Sequence, residues 1–243
     1  MNLVIDAGNT SVKFAVFDRD GKILLKRTEQ HANTSALFSV IKQYSIDYCI
    51  ISDVGGILTQ DLKKSLQHLD LLEMGAFTPV PVKIHYKSQE TLGTDRIAAA
   101  VYGYKHFPGI PVLVIQAGTC ITYEYISEEG VYHGGAISPG IDLRLKSLNT
   151  FTAYLPLIKK QQIDYLTGTT TEESILSGVI NGCIAETDGM IEQYSKKYGS
   201  VKTIIGGGDA FFFDKKLKNR IFAVENLVLQ GLNHILNYNN AQY

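Results

Sequence analysis

The first residues that could carry chemistry follow an apolar run at positions 3–5. Asp6 ends that run, and the Gly-Asn-Thr sequence at 8–10 follows it as a turn. A carboxylate at the end of a buried strand suits Mg²⁺, which prefers oxygen ligands, while amide and hydroxyl groups suit phosphate oxygens. Lys13, three residues beyond the turn, adds a positive charge that can neutralise phosphate. The alternative interpretation is an ordinary hairpin turn, in which Gly and Asn are common.

A second turn of the same kind follows the apolar run at 112–115. It contains Gly118 and Thr119, and this repetition weakens the hairpin alternative. A third turn, the three glycines at 206–208 followed by Asp209, would let a backbone pass close to a flat ligand such as adenine or ribose. None of the turns has the GxGxxG or GxxxxGK(S/T) spacing, so the Rossmann and P-loop fingerprints are missing.

An Asp-Arg pair lies at the predicted start of a helix, within the Gly-Thr-Asp-Arg sequence at 93–96. Asp95 could accept a proton from a hydroxyl group, as the catalytic bases of kinases do. Arg96 could bind a carboxylate through two parallel hydrogen bonds. The alternative is that Asp95 only stabilises the helix N-terminus and that Arg96 is solvated.

Both halves of the chain show the same order of predicted elements. The apolar runs at 3–5 and 112–115 are each followed by a β-rich run, a turn and another strand candidate, and helix candidates come next. This duplication predicts an α/β protein with two similar lobes, spanning 1–110 and 111–243.

A long helix is predicted in the second half. The pattern formed by Thr170 and Glu173 is that of a capping box, which marks a helix start. Gly178 and Gly182 weaken a helix at that position, so they indicate close packing there.

Composition narrows the function classes. The chain has 243 residues, of which 45% are hydrophobic, and a formal net charge of -1. This balance gives no electrostatic reason to expect a nucleic-acid or membrane-surface partner. Three cysteines without CxxC spacing argue against a disulfide framework or a zinc site. No secretory signal and no long apolar stretch is evident, so we expect a cytoplasmic protein.

Taken together, the motifs resemble those of the type III pantothenate kinases, which belong to the acetate and sugar kinase, Hsp70 and actin superfamily. The resemblance covers nearly the whole chain and rests on an ordered set: DAGNT at 6–10, GTDR at 93–96, AGTCIT at 117–122, GGAISPG at 134–140, TTEESI at 170–175 and GGG at 206–208.

The resemblance implies a fold and an activity. The fold is a pair of ribonuclease-H-like (actin-like ATPase) lobes with a nucleotide cleft between them. The activity is phosphorylation of pantothenate by ATP to 4′-phosphopantothenate, the first step of coenzyme A biosynthesis. A homodimer with its pantothenate site at or near the subunit interface is also implied.

The resemblance also implies roles for individual residues. Asp95 is the general base, and Asp6 is the carboxylate that binds Mg²⁺ through ATP. The residues expected to bind ATP are Asp6, Ala7, Gly8, Asn9, Thr10, Ser11, Val12, Lys13 and Thr119. The residues expected to bind pantothenate are Tyr86, Gly93, Thr94, Asp95, Arg96 and Thr171.

One position departs from the family pattern. Before the second glycine turn the family usually has an Asp that helps to bind a monovalent cation such as K⁺, and here Gln116 takes its place. Its amide offers a carbonyl oxygen but not the charge that favours K⁺ over water. The sequence therefore predicts weak or absent activation by K⁺ or NH₄⁺.

Two other functions remain open from the sequence. A non-catalytic regulatory or accessory homologue would keep the fold, but it would not need Asp6, Asp95 and Arg96. A sugar kinase of the same superfamily would also share the fold, because fold does not determine substrate. The GTDR and TTEESI motifs favour pantothenate by resemblance.

Overall fold

The computed structural model describes residues 1–8, 10–29 and 34–241. In this part of the chain, no helix has both the length and the apolar character needed to cross a bilayer. The strands are β1 (Asn2–Ala7), β2 (Val12–Phe17), β3 (Ile23–Glu29), β4 (Tyr48–Asp53), β5 (Asp70–Glu73), β6 (Lys83–Ile84), β7 (Val112–Ala117), β8 (Cys120–Ile126), β9 (Val131–Pro139), β10 (Lys202–Gly206) and β11 (Phe222–Ala223). The α-helices are α1 (Thr34–Gln43), α2 (Gln60–Ser65), α3 (Thr94–His106), α4 (Ile141–Thr150), α5 (Thr171–Tyr198) and α6 (Leu227–Asn240), and short 3₁₀ helices span Gln89–Thr91 and Ala210–Phe212.

The chain forms two compact units. The first comprises Met1–His106, Gly130–Tyr132 and Asn226–Tyr243, and the second comprises Phe107–Glu129 and His133–Glu225. The sheet of the first unit has the order β3-β2-β1-β4-β5, and the strands of the second unit follow the order β9-β8-β7-β10-β11. The short strand β6 pairs with the first two residues of β9. Counted from the start of each unit, both orders are 3-2-1-4-5. The duplicated α/β architecture predicted from the sequence is therefore present.

The alternation of side chains along β1 decides what lies on each face of the first sheet. Leu3 and Ile5 belong to an apolar core that includes side chains of α1 and α2. Successive residues of a strand point to opposite faces, so Asn2 and Asp6 point to the other face. Helix α6 packs against β1 and also against α3.

The C-terminal helix belongs to the first unit, whereas the predicted division at 110/111 assigns it to the second lobe. The buried Asn2 side chain explains this placement, because its amide nitrogen donates hydrogen bonds to Asn233 Oδ1 at 2.8 Å and to Asn237 Oδ1 at 2.7 Å. These bonds fix α6 on β1, and a buried polar group of this kind requires such partners.

The long helix α5 begins where the sequence predicts. Thr170 Oγ1 accepts a hydrogen bond from Glu173 N at 3.1 Å, which satisfies one donor of the first turn. Glu173 Oε2 accepts from Thr169 N and Thr169 Oγ1, each at 2.7 Å, so its carboxylate reaches one residue further back than in a standard capping box. The expectation of close packing at Gly178 and Gly182 is wrong, because among the described residues outside their own helix a Cβ there would meet no heavy atom within 4 Å.

Candidate active site

The candidate site in the first unit is built around Asp6, at the end of β1. Asp6 is buried and lies on the sheet face opposite the core formed with α1 and α2. On the neighbouring antiparallel strand β2, Lys13 is its register partner. Residues paired across two antiparallel strands point to the same face, so this carboxylate and this ammonium group are close.

Asp95 and Arg96 lie in the first turn of α3. Asp95 Oδ1 accepts a hydrogen bond from Arg96 N at 2.9 Å. A Cβ atom built on Gly93 would lie 2.6 Å from Asp95 Oδ1. A side chain at position 93 would therefore displace the carboxylate, which explains the glycine in the Gly-Thr-Asp-Arg sequence.

Ser52 positions the start of α3, a function that the sequence did not reveal. It lies at the end of β4 and is the parallel register partner of Asp6 on β1. The hydroxyl groups of Ser52 and Thr94 are both buried and share a hydrogen bond of 2.8 Å. This bond ties the first residue of α3 to the strand next to Asp6. A serine before a strand end is common, and its partner lies 42 residues away, so no local pattern could have identified it.

Burial and charge shift the pKa values of the two carboxyl groups. Burial raises the pKa of Asp6 from 3.8 to about 6; the positive charge of Lys13 opposes this rise, and the negative charge of Asp95 adds to it. Burial also raises the pKa of Asp95, although the hydrogen bond from Arg96 N and the charge of Arg96 oppose the shift. Asp95 is therefore close enough to Asp6 to disfavour its ionisation.

Asp6 has the features of a carboxylate that binds a metal ion whose other ligands come from a bound phosphate compound and water. Its buried Oδ1 atom has no hydrogen-bond partner among the described residues. In the same part of the chain, no group of three His, Cys, Asp or Glu side chains could hold a metal ion. Mg²⁺ commonly binds to one or two carboxylates and takes its other ligands from phosphates and water. The Asp6 carboxylate fits that mode.

Arg96 and Tyr86 provide the remaining side chains of this site. Arg96 is buried, and the central carbon of its guanidinium group lies 5.8 Å from the centre of the Tyr86 ring. Tyr86 in turn stacks on the buried ring of Tyr132 at 6.3 Å between centroids. The first unit thus brings together most of the residues predicted to bind substrate: Tyr86, Gly93, Thr94, Asp95 and Arg96.

The turn after β1 offers mainly backbone atoms. Ala7 and Val12 lie in the apolar core, so only their backbone groups can contact a ligand. Gly8 N donates to Ser11 O at 3.0 Å, which closes the turn, and Thr10 is exposed. Asn9, which was predicted to bind ATP, lies outside the described residues.

The other predicted residues lie in the second unit. Gln116 occupies the next-to-last position of β7, as Asp6 does in β1, and it pairs in register with Thr122 on β8 and Gly206 on β10. Thr119 is exposed in the turn before β8. Thr171 begins α5 and lines a groove of about 680 Å³, which Arg144 also lines.

The electrostatics of the first unit predict how Asp6 titrates. The midpoint for its carboxyl group should lie near pH 6. Lys13→Met removes the positive charge and should raise the midpoint, whereas Asp95→Asn removes a negative charge and should lower it. Carboxyl ¹³C NMR of aspartate-labelled protein measures both shifts, with the signal assigned by its loss in Asp6→Asn. A wild-type midpoint near 4, unmoved by either variant, would contradict this description.

Two solved structures share the fold of this chain. A ROK family glucokinase from Streptomyces griseus, in complex with glucose and AMPPNP, aligns with a TM-score of 0.54 over 98% of this chain and 99% of that chain, at 12% identity. The activator of the 2-hydroxyisocaproyl-CoA dehydratase from Clostridium difficile, with bound ADPNP, aligns with a TM-score of 0.53 over 99% and 96%, at 11% identity. At such low identity these likenesses concern the fold alone, and they confirm the predicted two-lobed α/β class.

Sequence comparison identifies the family. The family model for type III pantothenate kinase matches residues 2–193. A protein named type III pantothenate kinase from Christiangramia forsetii is 43% identical over 249 residues, covering 100% of both chains. Another of that name from Bacteroides fragilis is 42% identical over 245 residues, again covering 100% of both. This chain belongs to the type III pantothenate kinase family.

Proposed function

We propose that this protein transfers the γ-phosphate of ATP to the primary hydroxyl of pantothenate, giving 4′-phosphopantothenate and ADP, the first step of coenzyme A biosynthesis. The observation that carries the proposal is the grouping of Asp6, Lys13, Asp95 and Arg96 in one unit of a chain that belongs to this family. These residues supply a base, two cations and a carboxylate for a metal, and phosphoryl transfer depends chiefly on such positioning and charge neutralisation.

Asp95 acts as the general base in this proposal. The hydroxyl oxygen of pantothenate forms a bond to the γ-phosphorus while the bond from that phosphorus to the bridging oxygen of ADP breaks. The hydroxyl proton passes to the Asp95 carboxylate. Burial raises the pKa of Asp95, and a raised pKa makes a carboxylate a stronger base at neutral pH.

Asp6 and Lys13 serve the phosphate groups. Lys13 places a positive charge beside Asp6, where it can neutralise phosphate oxygens. Asp6 would hold Mg²⁺, which supplies further charge neutralisation on the β- and γ-phosphates when it is bound with ATP. The backbone of the turn at 7–12 and the Thr119 hydroxyl are the proposed additional contacts with ATP.

Arg96 is the proposed partner of the pantothenate carboxylate. Its side chain is buried, and a buried guanidinium binds a carboxylate more strongly than an exposed one because water screens the charges less. Tyr86 lies against it and supplies an aromatic wall. Thr171 is the remaining proposed contact, by its match to the family motif.

A homodimer is part of the proposal. Six large apolar side chains between positions 137 and 166 are exposed, among them Phe151 at 85% and Tyr154 at 95%. Large apolar side chains that are exposed close together are typical of interaction sites. A second copy of the chain would bury it, which supports the dimer that family membership implies.

Loss of the base tests the function. Purified protein with Mg-ATP and pantothenate should release ADP and form 4′-phosphopantothenate. Mass spectrometry measures the amount of this product. Asp95→Asn should lower kcat by about 10²- to 10⁴-fold, because general-base catalysis typically contributes that much. Asp70→Asn, at an exposed carboxylate of β5, serves as the matched control and should retain full activity.

Three outcomes would count against this proposal. Equal rates for wild type and Asp95→Asn would remove Asp95 as the base. Faster turnover of a sugar than of pantothenate would identify a sugar kinase. Pantothenate binding without any phosphorylated product would favour the accessory homologue.

Gln116 predicts how the reaction responds to monovalent cations. A neutral amide lacks the charge that favours K⁺ over water, so it attracts the ion only weakly. Wild-type rates in sodium and potassium buffers should therefore agree within about twofold. Gln116→Asp restores the charge and should produce activation by K⁺. Strong K⁺ dependence of the wild type, or none in Gln116→Asp, would contradict this prediction.

A further inference from the structure

Lys160, in the irregular segment between α4 and α5, joins two other segments of the second unit, namely the start of α4 and the glycine-rich turn after β10. Lys160 Nζ donates hydrogen bonds to Asp142 Oδ2 at 2.5 Å and to Asp209 Oδ1 at 2.7 Å. Asp142 lies in the first turn of α4, and Asp209 follows the glycines at 206–208 after β10. A single ammonium group therefore connects the start of α4 with the glycine-rich turn.

Each of these two segments also contacts the turn at 117–119. On one side, Gly140 N donates to Thr119 O at 3.0 Å, and a Cβ on Gly140 would lie 2.0 Å from Gly118 O. On the other side, Asp209 N donates to Ala117 O at 3.0 Å. The neighbouring Gly207 has φ +99°, and a Cβ on it would lie 2.2 Å from Ala117 O.

The turn that carries Thr119 therefore lies between these two segments, and both contact it through backbone atoms. Both contacts are made by backbone atoms, without an intervening side chain. The conformation of the turn at 117–119 therefore depends on the distance between these two segments. Lys160 bonds to the residue two positions beyond Gly140 and to the residue two positions beyond Gly207. Lys160 is therefore in a position to fix the distance between the start of α4 and the glycine-rich turn.

Charge and burial indicate that Lys160 keeps this position. Burial opposes its charge, but the hydrogen bonds to Asp142 and Asp209 outweigh that effect and raise the pKa of Lys160. The Asp209 side chain is only 7% exposed, whereas Lys160 is 29% and Asp142 is 62% exposed. Removal of the lysine would take a hydrogen-bonded positive charge away from the buried carboxylate of Asp209, and such a loss is costly for a buried ion.

We propose that Lys160 is a positioning residue for the nucleotide: it fixes the turn at 117–119 in the shape that contacts ATP. This inference rests on the proposed function, in which Thr119 contacts ATP. Direct binding of phosphate by Lys160 is disfavoured, since two of its three donors already serve carboxylates and the group of three side chains carries a net negative charge.

Substitution of Lys160 separates nucleotide affinity from the rest of the reaction. Lys160→Met should raise the Kd for Mg-AMPPNP, measured by calorimetry without pantothenate, by about tenfold, as expected for removal of one member of a hydrogen-bonded ion network. The KM for ATP should rise with it, while the KM for pantothenate stays unchanged. Lys160→Arg keeps the charge and both partners within reach, so it should restore most of the affinity. Thermal unfolding of each variant confirms that it is folded.

Asp142→Ala removes the acceptor and distinguishes positioning of the turn by Lys160 from direct contact of Lys160 with phosphate. If Lys160 positions the turn, loss of one link should weaken nucleotide binding. If Lys160 instead touches phosphate, releasing it from Asp142 should leave binding unchanged or tighter, and that result would overturn the inference.

The remaining outcomes distinguish the inference from the proposed function. Unchanged nucleotide affinity in folded Lys160→Met, beside a wild type that binds Mg-AMPPNP, would overturn the inference alone. A wild type that binds nucleotide but phosphorylates a different acceptor would overturn the proposed substrate and leave the inference standing. A wild type that binds no nucleotide would overturn both.

Discussion

The candidate site of the first unit is organised around a buried carboxylate whose hydrogen bonding is incomplete. Asp6 lies at the end of β1 with a buried oxygen that has no hydrogen-bond partner among the described residues, and the charge of Asp95 acts on it. Such burial costs several kcal/mol when nothing compensates it. Lys13 offsets part of the cost, and a bound cation would offset more. The raised pKa of Asp6 reflects the part of the cost that Lys13 does not offset.

Much of the local structure serves to keep the two carboxylates in place. The apolar alternation of β1 anchors one face of the strand in the core and leaves Asp6 on the other face. The hydrogen bond between Ser52 and Thr94 holds the start of α3 beside β4. Gly93 leaves the space that the Asp95 carboxylate occupies. In the second unit the same topology carries Gln116 at the position equivalent to Asp6, so the duplicated architecture has acquired different chemistry in its two copies.

The repeated pattern of strands and turns, the start of α5 and the grouping of Asp95 with Arg96 could be predicted from the sequence, because all three depend on local periodicity or short motifs. The placement of α6 and the function of Ser52 could not. Asn2 and Asn233 are 231 residues apart, and Ser52 and Thr94 are 42 apart. The glycines of α5 also misled the prediction, since a helical glycine can face open space as well as a close neighbour. The Lys160 contacts join three segments and become visible only in the fold.

The cation that accompanies ATP should bind the buried Asp6 carboxylate and offset the cost of its burial. Calorimetry of Mg-AMPPNP binding near pH 6, in two buffers of different ionisation enthalpy, measures the protons released. Because burial holds the pKa of Asp6 at about 6, a bound cation must lower that pKa and expel a proton from the fraction of molecules that is protonated. The wild type should therefore release protons on binding, and Asp6→Asn should bind more weakly without that release. Equal proton release by the wild type and Asp6→Asn would show that the cation does not bind Asp6.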